Sequence, residues 1–261
     1  MSIELAHDDS GGPGRLVLLL PGAGDLRSEN RFLALALASA GHRVVSADLP
    51  GHGGSPAAAG YGVEETAAAL VDLIDHLEAG PAVVVGASFA PAAAVWAATS
   101  QPDRVDAVVA ISPHFESDDS LKGMMLTAAT RGLLHGWWAA PAWERLYRSW
   151  YKSRTPDDLD VEIQRMRTML ADPERRKAVR ETLTAHRHGV ADRMAEFDAP
   201  SLVVFGEADD HFADPAAEAA RVASRLGGEI LMVAGAGHYP HVERPDVVAP
   251  RVLTFLDDLA T

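Results

Sequence analysis

Three side chains whose types cooperate in nucleophilic catalysis occur in this sequence of 261 residues, namely Ser88, Asp209 and His238. Each lies just after a short apolar run that predicts a buried parallel strand. The carboxyl ends of parallel strands meet at one edge of a sheet, where open α/β proteins bind their ligands. We therefore expect the three side chains to lie together.

These residue types predict a definite chemistry. A serine hydroxyl is almost un-ionised at neutral pH, so Ser88 needs a base before it can attack a carbonyl carbon. His238 would be that base, because an imidazole with a pKa of about 6.5 takes up and returns a proton near neutrality. Asp209 would hold the other ring nitrogen and stabilise the imidazolium. The sequence thus predicts a serine nucleophile with a histidine base.

The elements that must position these residues are strands alternating with helices. Such an order predicts an α/β fold, a mostly parallel, doubly wound sheet of seven or eight strands with right-handed crossovers. An edge strand is expected at residues 2–6. The remaining predicted strands span residues 15–20, 42–48, 83–85, 105–111, 201–206 and 229–234.

The alternation stops after the strand at 105–111, and residues 113–197 read as helical. We expect this insertion to form a helical cap over a core made of residues 1–112 and 198–261. Helix-start signals stand at Thr155-Pro156 and Asp172-Pro173. The insertion is rich in aromatic residues, which either line a pocket for an apolar substrate or only pack the cap together. The candidate pocket residues are Trp137, Trp138, Trp143 and Tyr147.

The elbow around the serine reads Gly86-Ala87-Ser88-Phe89-Ala90 and resembles the Gly-x-Ser-x-Gly motif of the α/β-hydrolase superfamily. In that family the acid and the histidine follow the serine in this chain order. The segments ending at Asp209 and His238 also resemble the family's acid and histidine loops, so the resemblance covers nearly the whole chain. The last glycine of the motif is replaced here by Ala90, the mildest change at a position that needs a small side chain.

The resemblance also implies an oxyanion hole made of backbone N–H groups. Its donors would be Ala23 and Phe89, with Gly24 as the alternative to Ala23. The family's loop usually begins His-Gly, whereas this chain has Pro21-Gly22. The segment that contains His52 resembles a loop of capped family members in which this histidine is structural.

Other histidines and acids in the sequence are alternative candidates for the catalytic acid or for other functional roles. Some family members carry the catalytic acid after the strand at 105–111, where this chain has His114 and Asp118 or Asp119. We expect no metal site, although the pair His186 and His188 has a spacing that metal ligands can adopt. Trp96 is expected in the core. Two further histidines are expected near the site, either in contact with substrate or exposed on loops: His211 and His241.

Composition narrows the function classes. The net charge of −14 and the pI of about 5.1 argue against a nucleic acid or anionic membrane as partner. The absence of cysteine excludes disulfides and cysteine-type zinc sites. The first residues lack the basic and apolar regions of a signal peptide, and no apolar run is long enough to span a membrane. We expect a cytoplasmic protein that acts on a small molecule without a cofactor; the oligomeric state is open.

The leading hypothesis is a serine hydrolase that cleaves a carboxylic ester or related acyl compound of apolar character through an acyl-enzyme. The same three residues would also serve a carbon–carbon bond hydrolase, a lactonase, a thioesterase or a cofactor-free perhydrolase, because function lies in the site and not the fold. A third hypothesis is a binding or biosynthetic auxiliary protein that has this fold without hydrolysing its ligand.

Overall fold

The computed structural model describes residues 4–117 and 120–259, apart from the side chain of Lys122. Within these ranges seven strands form one sheet. They are β1 (His7–Asp9), β2 (Leu16–Leu20), β3 (Arg43–Ala47), β4 (Ala82–Ala87), β5 (Val105–Ile111), β6 (Ser201–Gly206) and β7 (Glu229–Val233). Their order is β1-β3-β2-β4-β5-β6-β7. Only the pair of β1 with β3 is antiparallel, which confirms the predicted doubly wound, mostly parallel sheet.

Besides one short 3₁₀ helix at Arg27–Asn30, eleven α-helices complete the described part of the chain, and no helix there is long and apolar enough to cross a membrane. They are α1 (Arg31–Ser39), α2 (Val63–Leu77), α3 (Ala90–Ser100), α4 (Leu121–Leu133), α5 (Ala139–Ser149), α6 (Leu159–Ala171), α7 (Pro173–Leu183), α8 (Val190–Glu196), α9 (Pro215–Leu226), α10 (Pro240–Glu243) and α11 (Pro245–Asp258). Side-chain caps fix the beginnings of α7 and α9, where Asp172 accepts from the N–H of Glu174 and Asp214 from that of Ala217.

The strand order reverses at β2, which has β3 on one side and β4 on the other. Open α/β sheets bind ligands in the crevice beyond the carboxyl ends of the strands at such a reversal. At this edge Leu20 of β2 pairs with Gly86 of β4. The loop that begins at Pro21 and the turn that contains Ser88 therefore leave the sheet side by side.

Both faces of the sheet are buried, as the continuous apolar strands require. Val84 of β4 packs with residues of α2, α3 and α9 on one face. Its neighbours Val83 and Val85 point to the other face and pack with α1 and α11. This alternation places a hydrophobic core on each side of the sheet.

Helices are the only regular elements between β5 and β6 in the described residues. Side chains of α5, α6 and α7 form a separate apolar cluster with Tyr239 and Val242, so this helical segment packs on the loop after β7. In contrast, Val190 and Met194 of α8 belong to the same cluster as the sheet and α3. The division into a core and a cap at residues 113–197 stays a prediction.

Two local expectations differ from the structure. The edge strand lies at His7–Asp9, where it pairs with β3, and does not include residues 4–6; residues 2 and 3 of that expectation lie outside the described residues. The signal at Thr155-Pro156 precedes α6 by several residues, since this helix begins at Leu159 after Asp158. Arg31 binds the Asp158 carboxylate, so that side chain is engaged in an ion pair and forms no cap.

One glycine shows how closely the site-bearing segments approach each other. A Cβ atom on Gly206 would lie 2.1 Å from the carbonyl oxygen of Gly237 and 2.3 Å from that of Ala236. Both atoms belong to the backbone that leads to His238. We predict that Gly206→Ala lowers the free energy of unfolding by about 1–3 kcal/mol, as overpacking does elsewhere. Urea denaturation monitored by circular dichroism measures the change.

The matched control is Gly132→Ala, because a Cβ atom at this helical position would meet no atom within 4 Å. Alanine is favoured over glycine inside a helix, so this variant should be neutral or slightly more stable. Equal unfolding midpoints for Gly206→Ala and the parent protein would contradict the close-approach argument.

Candidate active site

Ser88 lies at the sharp turn between β4 and α3 with a φ angle of 55°. This left-handed conformation costs a residue with a side chain roughly 1–2 kcal/mol. Two backbone hydrogen bonds hold the turn: the N–H of Ser88 donates to the oxygen of Ile111 and its oxygen accepts from the N–H of His114, both at 2.9 Å. The strained turn thus presents a partly exposed serine at the switch point of the sheet.

The alanine that ends the elbow motif fits because the strand and helix are in contact. A Cβ atom on Gly86 would lie 3.0 Å from the Cβ of Ala90 and 2.9 Å from the nitrogen of Pro91. Ala90 itself is fully buried. The space at this crossing therefore admits one methyl group, supplied by Ala90, as long as residue 86 is glycine.

Asp209 and His238 form a buried pair. The Nδ1 atom of His238 lies 2.8 Å from Oδ2 of Asp209. The other oxygen, Oδ1, accepts from the backbone N–H of His211 at 3.1 Å and lies 3.0 Å from its Nδ1. Burial alone would raise the pKa of Asp209, but the hydrogen bonds from His211 and His238 outweigh it and hold this pKa well below its usual range. Asp209 is therefore an anion that serves two imidazoles.

The pKa of His238 is lowered from its ordinary value. Burial is the main cause and the positive charge on neighbouring His211 adds to it, while the bond to Asp209 opposes both. The ring consequently stays neutral further into the acidic range. Its Nδ1 is engaged by Asp209, so Nε2 is the nitrogen left to accept a proton.

His114 joins these two histidines. Its ring centroid lies 5.5 Å from that of His238 and 5.7 Å from that of His211. Burial and the charges of both neighbours hold the pKa of His114 well below its usual range. The alternative catalytic acids Asp118 and Asp119 lie outside the described residues.

The loop after β2 lies against Ser88. A Cβ atom on Gly22 would be 3.3 Å from the Cβ of Ser88. Gly24 has a φ angle of 90°, and a Cβ there would clash with the ring of Trp143, at 2.4 Å from Cζ2. Ala23, between them, is buried. This placement is compatible with an oxyanion hole, and the donor roles of Ala23 and Phe89 stay predictions.

A buried acidic network behind this loop was missed by sequence reasoning. The N–H of Gly22 donates to Oε2 of Glu29 at 3.0 Å, and Nε2 of His241 lies 2.9 Å from Oε1. The hydroxyl of Tyr239 donates to Asp25 at 2.9 Å. Burial first, and then the negative charge of Glu29, hold the pKa of Asp25 well above its usual range. Two acids in a turn are an ordinary surface pattern, so the sequence offered no signal for their burial.

The candidate pocket aromatics divide into two pairs. Trp143 and Tyr147 are buried, whereas 85% of Trp137 and 44% of Trp138 are exposed. Their assignment to a substrate pocket stays a prediction. Trp150, which the pocket prediction omitted, has its ring centroid 4.9 Å from that of His211, and its carbonyl accepts from the N–H of His238 at 3.1 Å.

The remaining histidine predictions can be located as well. His52 is fully buried, with Nδ1 3.0 Å from the carbonyl oxygen of Pro50. His186 and His188 stack on each other with ring centroids 4.9 Å apart. Trp96 packs partly buried against the core cluster of α3. His211 and His241 both lie close to the candidate site, as their contacts above show.

Metal ligation has one candidate group in the part of the chain that the structure describes. Ligand atoms of Asp209, His211 and His238 all lie within 4.8 Å of one another. The hydrogen bonds between these side chains already use the carboxylate oxygens and both Nδ1 atoms. A cation there would have to break the acid–histidine pair, so the geometry suits proton transfer better than metal binding.

Comparisons with known proteins agree with this geometry. The sequence profile described as "Alpha/beta hydrolase family" matches residues 17–251. Lipase LipV of Mycobacterium tuberculosis is 42% identical over 77 residues, 30% of this chain and 30% of that protein. The 2-hydroxy-6-oxononadienedioate/2-hydroxy-6-oxononatrienedioate hydrolase of Burkholderia vietnamiensis is 28% identical over 270 residues, 97% of this chain and 91% of that protein.

The chain spans less than half the length of the curated relatives that it matches with the highest identities. Among solved structures, a thermophilic esterase from Thermogutta terrifontis superposes with a TM-score of 0.82 at 23% identity, covering 99% of this chain and 95% of that one. This likeness shows the fold. Because the profile match extends over nearly all of the sequence, the protein belongs to the alpha/beta hydrolase family.

Proposed function

We propose that this protein is a serine hydrolase that cleaves a carboxylic ester or related acyl compound. The observation that carries the proposal is the buried Asp209–His238 pair at the same sheet edge as the strained Ser88 turn. The family membership supports hydrolysis, and the ester is our choice among the bonds that such a site can cleave.

In the proposed mechanism Oγ of Ser88 attacks the carbonyl carbon while Nε2 of His238 takes its proton. Asp209 keeps the imidazole in the required tautomer and stabilises the imidazolium. The backbone N–H groups of Ala23 and Phe89 bind the oxyanion, and each such donor contributes about 3–4 kcal/mol to the transition state. His238 then gives the proton to the leaving alcohol. Water repeats the sequence on the acyl-enzyme, which releases the acid and restores the serine hydroxyl.

A second candidate is hydrolysis of a carbon–carbon bond with the same residues. A full-length match favours it, because the Burkholderia vietnamiensis relative is named as the hydrolase of an oxo dienedioate and not of an ester. Assays of aryl esters, lactones, acyl thioesters and 1,5-diketo acids in parallel distinguish these reactions, since only the cleaved bond differs between the substrates.

We predict that Ser88→Ala reduces the hydrolysis of short aryl esters by about 10⁴-fold or more, because the nucleophile is then absent. The rate of aryl acetate hydrolysis gives this number. A fluorophosphonate probe followed by peptide mapping should label the parent protein at Ser88 and leave the variant unlabelled.

The matched control is Ser112→Ala. Ser112 also follows a strand at this edge and also has a positive φ angle, but its buried hydroxyl has no hydrogen-bond partner among the described residues. We expect this variant to retain both labelling and activity. A parent protein that hydrolyses none of the substrates and binds no probe would instead favour a binding protein with this fold.

The histidine pair predicts a pH effect. His211 lowers the pKa of His238 through its positive charge and competes for Asp209. In His211→Gln both influences are lost, so the pKa of His238 should rise and the acid limb of the kcat/KM profile should move to higher pH. The profile of aryl acetate hydrolysis between pH 4.5 and 8, an assay range of about the usual width for a histidine base, measures it. A limb that stays in place or moves to lower pH would refute this coupling.

A further inference from the structure

A guanidinium that forms no ion pair with any described residue lies beside the candidate site. Arg187 lies in the loop between α7 and α8, and its side chain is half-buried. Its Nε atom is fully buried without a hydrogen-bond partner in the described part of the chain. Buried charges in proteins are normally paired, because removing an ion from water is costly. The half-buried guanidinium of Arg187, unpaired among the described residues, is therefore available to a partner that arrives from outside.

The guanidinium of Arg187 lies close to the proposed reacting groups. The guanidinium carbon lies 5.6 Å from the centroid of the Phe89 ring, and Phe89 directly follows the nucleophile. The charge of Arg187 also reaches His114, whose ring is 5.5 Å from that of His238. The guanidinium is thus held next to the elbow, on the side of His114.

The loop that carries Arg187 is anchored at its backbone. The N–H of Arg187 donates to the hydroxyl of Ser117 at 3.0 Å, and its carbonyl accepts from the N–H of Val190 at 3.3 Å. Gly189, with a φ angle of 77°, turns the chain into α8. Since Val190 is fully buried in the main core cluster, the cation projects from a fixed support.

The chemistry of the missing partner follows from the side chain. Burial lowers the pKa of Arg187 to about 10, so the group is still charged at neutral pH. A guanidinium binds a carboxylate through two parallel hydrogen bonds. The ring of Phe89 can contact the cation but offers no hydrogen-bond acceptor. The net charge of the chain is −14 and repels anions, so a local positive charge is needed to attract an anionic substrate to the site.

We propose that Arg187 binds a carboxylate group of the substrate, so that the preferred acyl compound is a monoester of a dicarboxylic acid. This inference rests on the proposed serine hydrolase function. The bound carboxylate takes no part in bond making; it fixes the far end of the acyl chain while Ser88 attacks the ester carbonyl.

The test compares two esters of equal chain length, monomethyl glutarate and methyl pentanoate, in a pH-stat assay. We expect Arg187→Met to lower kcat/KM for monomethyl glutarate by about tenfold or more, the scale of a lost charge-assisted hydrogen bond, and to change methyl pentanoate hydrolysis less than about twofold. Arg187→Lys keeps the positive charge but cannot form the two parallel hydrogen bonds, so its kcat/KM for monomethyl glutarate should lie between those of the parent protein and Arg187→Met. Equal losses for both esters would mean a structural role and overturn the proposal.

Arg193→Met is the matched control, because Arg193 also lies over an aromatic ring, that of Trp96, but is paired with Glu196. This variant should leave kcat/KM for both esters unchanged. Ligand-observed NMR of monomethyl glutarate with the Ser88→Ala protein separates the two proposals. Binding of monomethyl glutarate that is lost in the Ser88→Ala/Arg187→Met protein supports the arginine site. This holds even if the parent protein hydrolyses neither ester, because that result would contradict only the hydrolase proposal. The arginine-site proposal is overturned if the Ser88→Ala protein does not bind monomethyl glutarate, or if the Ser88→Ala/Arg187→Met protein binds it equally well.

Discussion

The structure depends on the close crossing of β4 and α3. Gly86 leaves room for the methyl group of Ala90, and this proximity forces the intervening turn through the left-handed conformation of Ser88. A turn of this kind is stable only if its neighbours hold it, because its own backbone is strained. Here Ile111 and His114 do so through backbone hydrogen bonds. The strand β5 and the residues that follow it therefore hold the serine turn in place, as β4 does.

The helical segment also takes part in positioning the proposed base, His238. Glu243 accepts hydrogen bonds from the N–H groups of Gly237, at 2.7 Å, and of Lys152, at 2.8 Å. The carbonyl of Trp150 accepts from the N–H of His238. The loop that carries His238 is thus fastened to the segment between α5 and α6. If this segment is the predicted cap, the hydrogen bonds link access of substrate to the position of the proposed base.

Much of this could be predicted from the sequence. Short apolar runs located six of the seven strands, all but the edge strand β1, and the position of each catalytic candidate after such a run follows from the chain alone. The proximity of Arg187 to the site could not be predicted, because it depends on how the helical segment folds back. The same holds for Tyr239, whose bond to Asp25 joins residues 214 positions apart. Aromatic content likewise says nothing about orientation, so the exposure of Trp137 was beyond sequence reasoning.

The acidic network beside the proposed oxyanion loop bears on the proposed chemistry through its charge. Asp25 and Ser88 both lie close to Gly22, since a Cβ on Gly22 would be 3.0 Å from Oδ2 of Asp25 and 3.3 Å from the Cβ of Ser88. Like charges a few ångströms apart repel by on the order of 3 kcal/mol at the effective dielectric constant of a protein. An ionised Asp25 would therefore oppose an oxyanion at this loop. Burial and the nearby Glu29 hold the pKa of Asp25 well above its usual range, which favours its neutral form, and the loop retains its hydrogen bond to Glu29. One carboxylate thus holds the loop, and its charge favours the uncharged form of the second acid.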